Sequence, residues 1–176
     1  QKRLNCYVVG NNVLRKPRKK ETMRLEDNIC NLNKISDYRD KAPEIYKAFV
    51  GKLKQFKEEI KSRDQIPFIF HLHGASGKNF NNACKEEQKS GFKSIGILVG
   101  TGRGTTKYSD NTSFTATPST VENVIDCLTS ENILSYSTNH YLYAARAFHN
   151  LCQLFTKHYP DDGVEAFQFE IRKEGY

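Results

Sequence analysis

The chain has 176 residues, of which 38% are hydrophobic and 27% are charged, and its formal net charge is +7. This length and composition fit one globular core of ordinary size, so we expect a single α/β domain over residues 1–176. No apolar run approaches the roughly 20 residues that a membrane-spanning helix needs, and we therefore expect no membrane partner.

The basic charge is concentrated in residues 15–20, where five of the six side chains are lysine or arginine. A run of this kind is typical of a solvated loop. A nucleic-acid partner would require aromatic side chains or a recognisable binding module around the basic residues, and none is evident. We therefore do not expect the chain to bind nucleic acid.

The five cysteines are widely spaced and odd in number, and no Cys-x-x-Cys pair occurs among them. This pattern indicates neither a disulfide framework nor a zinc site made of thiolates. It predicts a reducing environment, and hence a cytoplasmic location.

Helical and strand patterns alternate along the chain. A short strand is predicted over residues 4–9, an amphipathic helix over 42–61 and buried strands over 66–72 and 94–99. A loop is predicted from the end of the strand over 66–72 to residue 82. Helices are predicted over 118–128 and 144–158, and a closing strand over 164–171. The alternation predicts an α/β fold, specifically a three-layer sandwich with a mixed, mainly parallel central sheet.

The most informative segment is an apolar strand that ends in His71-Leu72-His73-Gly74. Successive side chains of a strand point to opposite faces, so the two histidines share a face. In open α/β sheets, ligands bind at the carboxyl ends of strands, and imidazole is a common zinc ligand. We expect His73 to be a site residue and His71 to support it. The alternative is a core histidine followed by a glycine turn.

Glu170 lies in the last predicted strand, on the face that carries Ala166 and Gln168 and opposite Phe167, Phe169 and Ile171. A carboxylate in such a strand is costly to bury unless it is paired or used, and burial would raise its pKa toward the range of a general base. The alternative is an exposed glutamate paired with a lysine.

The order of these motifs resembles that of the N-formylglutamate amidohydrolases, which belong with the zinc carboxypeptidase-like hydrolases. The similarity lies in Asn33-Lys34, in His73-Gly74 and in residues 163–171, which read Gly-Val-Glu-Ala-Phe-Gln-Phe-Glu-Ile. Lys34 stands where that family has arginine, and His71 stands where it usually has aspartate.

The resemblance implies a zinc-dependent hydrolase of an amide bond in an N-acyl amino acid or small peptide that carries a carboxylate. His73 would be a zinc ligand, and Glu170 would be the general base that takes a proton from water. Asn33 and Lys34 would contact a substrate carboxylate or oxyanion.

Arg103 and Arg146 are further candidates for binding an anionic substrate, because guanidinium binds carboxylate in a bidentate manner. The family's first metal motif, His-x-x-Glu, does not occur in the chain. We expect that motif to lie upstream of Gln1, so that the segment lacks an N-terminal part of the domain, or to have been lost together with the metal.

Two alternatives stay open. Residues 100–106 form a glycine-rich loop after a strand, which would bind phosphate or a nucleotide through backbone N–H groups, although they match neither the P-loop nor the dinucleotide fingerprint. The other is a non-catalytic binding domain on the hydrolase scaffold.

Overall fold

The computed structural model describes residues 6–8, 38–102, 114–140, 143–145, 150–156 and 162–173. The chain divides into two compact units, Gln1–Gln65 and Ile66–Tyr176. Each unit is described by itself, and a single domain over residues 1–176 stays a prediction.

The described residues form five helices and four strands. In chain order they are α1 (Tyr38–Lys41), α2 (Pro43–Lys61), β1 (Phe68–Ser76), α3 (Gly77–Glu86), β2 (Ile97–Gly100), α4 (Pro118–Ser130), β3 (Ser135–Thr138), α5 (Leu151–Phe155) and β4 (Glu165–Lys173). Among these residues no helix is long and apolar enough to cross a membrane.

The first unit contains α1 and α2. The predicted helix over residues 42–61 is confirmed as α2, which begins with a proline whose missing N–H costs nothing at that position. Val50 is buried, and the ring of Tyr7 stacks on that of Phe56 with centroids 4.0 Å apart. The Tyr7 hydroxyl contacts Glu59, which raises the pKa of the tyrosine. Cys6–Val8 lie in neither a helix nor a strand, and the rest of the strand predicted over 4–9 lies outside the described residues.

The second unit is built on a four-stranded mixed sheet with the order β1-β4-β2-β3. β1 and β4 are parallel, as are β2 and β3, and one antiparallel pair, β4 with β2, joins them. The predicted α/β class with a mixed, mainly parallel sheet is therefore confirmed. The first and last strands of the unit are neighbours, which brings residues from its two ends together.

The core of this unit lies on both faces of the sheet. On one face, Phe80 of α3 packs in a cluster with Leu98 of β2. On the other, Val121 of α4 packs with Val99 and Phe167. Leu98 and Val99 are consecutive strand residues and so point to opposite faces, which lets one short strand bind helices on both sides.

The segment after the histidines differs from its prediction. β1 continues through Gly74 to Ser76, and residues 77–82, predicted as a loop, belong to helix α3. The glycines and asparagines suggested a turn, but apolar side chains recur at helical spacing, and Phe80, Ala83 and Cys84 are fully buried. Burial of that stripe outweighs the weak helix propensity of glycine and asparagine.

The helix predicted over residues 144–158 is also corrected. Among the described residues of this range, only Leu151–Phe155 are helical. Ala145 has a φ of 58°, which lies outside the right-handed helical region, and Asn150 caps the N-terminus of α5. β3, where no strand was predicted, pairs with β2.

Candidate functional site

The register between β1 and β4 brings His73 beside Glu170. The two residues are direct partners in the parallel pair, and His71 is the partner of Gln168. All four side chains therefore share one face of the sheet, as the alternation of the sequence predicted. The site depends on this pairing, because nothing local in the chain joins residues so far apart.

His73 and Glu170 form a close pair with little exposure. The Nδ1 atom of His73 lies 3.6 Å from Oε1 of Glu170, and the exposed fractions of the two side chains are 13% and 5%. This distance is longer than a direct hydrogen bond. A carboxylate at Nδ1 favours the tautomer with its proton on that nitrogen, which leaves Nε2 as an acceptor.

His71 contacts the other side of the same imidazole. Its ring centroid lies 4.1 Å from that of His73 in an edge-on arrangement, and its two ring nitrogens lie 3.0 and 3.1 Å from Nε2 of His73. Burial, with a smaller contribution from His73, lowers the pKa of His71 from 6.5 to about 3. His71 is therefore neutral at physiological pH, and a neutral imidazole can donate to the acceptor nitrogen of its neighbour.

The side chains of His71, His73 and Glu170 form a polar row on this face of the sheet. Two amide side chains extend the row on the Glu170 side. Nε2 of Gln168 donates to Oε1 of Glu170 over 2.7 Å, and Nδ2 of Asn150 donates to Oε1 of Gln168. Neither residue was predicted from the sequence to be part of the site. The same period-two alternation that paired the histidines places Gln168 beside Glu170, but no local pattern relates Asn150 to β4.

Gly100 allows a backbone segment to approach the same face closely. A Cβ atom at this position would overlap the carbonyl oxygen of Tyr143 and lie 2.9 Å from the carbonyl carbon of Ala144. The Tyr143 carbonyl oxygen is consequently 3.4 Å from Nε2 of Gln168 and serves as a second acceptor for it. Glycine is required here by the space between the strand and residues 143–145.

The remaining candidates from the sequence lie outside the described residues. They are the proposed contacts for a substrate carboxylate: Asn33, Lys34, Arg103 and Arg146. The structure therefore brings together His71, His73 and Glu170, and the roles of the other four stay predictions.

A zinc site would use His73 as one of its ligands. A catalytic zinc normally has three protein ligands, and no group of three histidine, cysteine, aspartate or glutamate side chains within the described ranges could hold a metal ion. The nitrogens of His73 already face Glu170 and His71. The described donors thus do not complete a zinc site, and zinc stays a prediction.

The glycine-rich loop is described only in its first part. The N–H of Gly102 donates to the carbonyl of Ala144 over 2.6 Å, and the carbonyl of Thr101 accepts from the N–H of Thr115 over 3.0 Å. The Gly102 N–H is therefore engaged within the fold and does not face a phosphate. Residues 103–106 lie outside the described part, so phosphate binding by the whole loop stays a prediction.

No protein-family model matches the chain, and neither a curated protein nor a solved structure is significantly similar to it. The resemblance to the N-formylglutamate amidohydrolases therefore stays a prediction that rests on the quoted motifs.

Proposed function

We propose that the chain is a hydrolase of amide bonds in N-acyl amino acids or small peptides that carry a carboxylate, with Glu170 as the general base. The observation that carries the proposal is the buried Glu170 carboxylate 3.6 Å from the His73 imidazole, on paired strands. A carboxylate and an imidazole in a site of low exposure are groups suited to moving protons during hydrolysis.

In the proposed reaction Glu170 accepts a proton from a water molecule as the water oxygen bonds to the carbonyl carbon. The C–N bond then breaks, and the proton passes to the leaving nitrogen, giving a carboxylic acid and an amine. His73, which faces Glu170 at Nδ1 and His71 at Nε2, holds the carboxylate in position for this proton transfer. Neutral His71 contacts the His73 ring without adding a positive charge beside it.

Three further proposals accompany this function. The first is membership of the N-formylglutamate amidohydrolase-like family, with a zinc ion for which His73 would be one ligand and which would supply polarisation of the carbonyl. The second is a three-layer sandwich, with α4 on one face of the sheet and α3 and α5 on the other; the support is the packing of Val121 against Val99 and of Cys152 against Ala166. The third is a cytoplasmic location.

The test is hydrolysis of a panel of N-acyl amino acids, including N-formylglutamate, by the wild-type chain and by Glu170→Gln. Loss of the base is expected to lower kcat by about 10²- to 10⁴-fold. Glu86→Gln is the matched control, because Glu86 also lies beside an imidazole, with 3.1 Å between its Oε2 and Nε2 of His140, yet its side chain is 62% exposed. We expect this control to hydrolyse as the wild type does.

Elemental analysis of wild-type protein and His73→Ala separates the zinc proposal from the proposal about the base. One zinc per chain that is lost in the variant supports the metal. Hydrolysis without bound zinc contradicts the zinc proposal and remains consistent with Glu170 as the general base. A folded wild-type protein that hydrolyses nothing in the panel contradicts the proposed function and favours a non-catalytic binding domain.

A further inference from the structure

The Glu170 carboxylate is held by an amide that is itself almost completely buried. Gln168 is 3% exposed and Glu170 is 4% exposed. The Nε2 group of Gln168 donates to Oε1 of Glu170 over 2.7 Å, and this is the same oxygen that lies 3.6 Å from His73. The position of that oxygen therefore depends on the orientation of the Gln168 amide.

The orientation of the amide is fixed by a chain of donors that begins at the backbone. The N–H of Cys152 donates to Oδ1 of Asn150 over 2.8 Å, so the opposite, NH₂ side of Asn150 is turned toward Gln168. That NH₂ donates to Oε1 of Gln168, which turns the NH₂ of Gln168 toward Glu170 and the Tyr143 carbonyl. Because a backbone N–H can only donate, each amide in the chain has one favourable orientation.

We propose that Gln168 is a positioning residue for Glu170 and that Asn150 sets its orientation. This inference rests on the proposed function, since it concerns the carboxylate that would accept the proton. Glu170 touches the reacting water, whereas Gln168 and Asn150 act only through it. Asn150 thus has two roles: it caps α5, and it determines which side of the Gln168 amide faces the carboxylate.

The test uses two substitutions at Asn150 that keep an oxygen for capping and differ in what they present to Gln168. Asn150→Asp retains the acceptor for the Cys152 N–H, and aspartate is as good a cap as asparagine. The new carboxylate places an acceptor against Oε1 of Gln168, which favours a flipped amide and an oxygen facing Glu170. Asn150→Ser also caps the helix, but it removes the donor without inverting the amide.

With N-formylglutamate or another hydrolysed panel member, Asn150→Asp and Gln168→Met are expected to lower kcat by about tenfold or more, as for a lost hydrogen bond to a charged group. KM is expected to change less than about twofold, because the groups do not touch substrate. Asn150→Ser is expected to lower kcat less than Asn150→Asp does. Glu165→Gln, which changes another buried carboxylate of β4, is the control.

Equal losses in the serine and aspartate variants would show that the orientation of the amide does not matter and would overturn the proposal. Wild-type kcat in Asn150→Asp and Gln168→Met would overturn it as well. Thermal unfolding of each variant verifies folding, and the Asn150 pair carries the test if Gln168→Met does not fold.

If the wild-type chain hydrolyses nothing, the proposed function fails and the positioning is tested separately by NMR. The side-chain NH₂ signals of Gln168 are identified by their loss in Gln168→Met. We expect them to exchange slowly with D₂O in the wild type and faster in Asn150→Asp. Equal exchange in both proteins would overturn the orientation that we infer.

Discussion

Replacing His71 with asparagine tests whether the imidazole is held neutral. Burial lowers the pKa of folded His71 to about 3, against 6.5 for the ordinary side chain. Below pH 6.5 the unfolded chain therefore binds a proton that the folded chain does not. Stability is complete above pH 6.5 and decreases as the pH falls from 6.5 toward 3.

The size of the loss of stability depends on how far the pH lies below 6.5. Each unit below 6.5 lowers the free energy of unfolding by about 1.4 kcal/mol for one proton, so the loss at pH 5 is about 2 kcal/mol. This value holds for any folded pKa below about 4. Asparagine at position 71 keeps a polar side chain but cannot titrate, so His71→Asn lacks this pH-dependent loss of stability. The carboxylates contribute to the pH dependence of both proteins.

Urea unfolding at pH 7.5 and pH 5 provides the assay. The wild type is expected to lose about 2 kcal/mol more than His71→Asn between the two pH values. An NMR titration of the His71 ring gives an independent reading and should show no change of charge between pH 5 and 8. Equal losses in the two proteins, or a His71 midpoint near 6.5, would refute the reasoning.

Three other predictions concern packing and reactivity. Gly100→Ala should lower the free energy of unfolding by about 1–3 kcal/mol, because the new Cβ overlaps a neighbouring carbonyl oxygen. Gly96→Ala should change it little, because the Cβ there meets only ordinary contacts. Comparable urea midpoints for the two variants would contradict this prediction. Phe80→Ala should lower the free energy of unfolding by about 3–5 kcal/mol, because it leaves a cavity in the core. Phe114→Ala should lower it by less than about 1 kcal/mol, because Phe114 is 52% exposed. Similar losses in the two variants would mean that Phe80 is not a core residue. The Cys152 thiol, whose pKa is raised by burial, should not react with iodoacetamide in the folded protein, as peptide mass spectrometry can verify; rapid labelling would contradict its burial.

Patterns local to one element were predicted well from the sequence. The apolar spacing of α2 and the alternation along β4 gave both elements to within about two residues, and alternation correctly placed His71 and His73 on one face. Each of these predictions needs only the period of a helix or a strand. Where tertiary burial outweighed local propensity, as in α3, the prediction was wrong.

The site itself was predicted only in part. The histidine and glutamate motifs identified three side chains that the structure brings together, but the pairing of β1 with β4 that joins them is a property of the whole sheet. Asn150 illustrates the limit, because its contact with Gln168 joins a helix cap to a distant strand. No periodicity within either segment contains that information.

The pairing of β1 with β4 also determines when the site can form during synthesis. His73 lies on the first strand of its unit and Glu170 on the last, so most of the unit must leave the ribosome before the two can meet. Contacts between such distant segments are slow to form, since the intervening chain must first be closed into a loop. A nascent chain that stops before β4 would carry both histidines without their carboxylate. The polar row is therefore completed only after β4 has been synthesised.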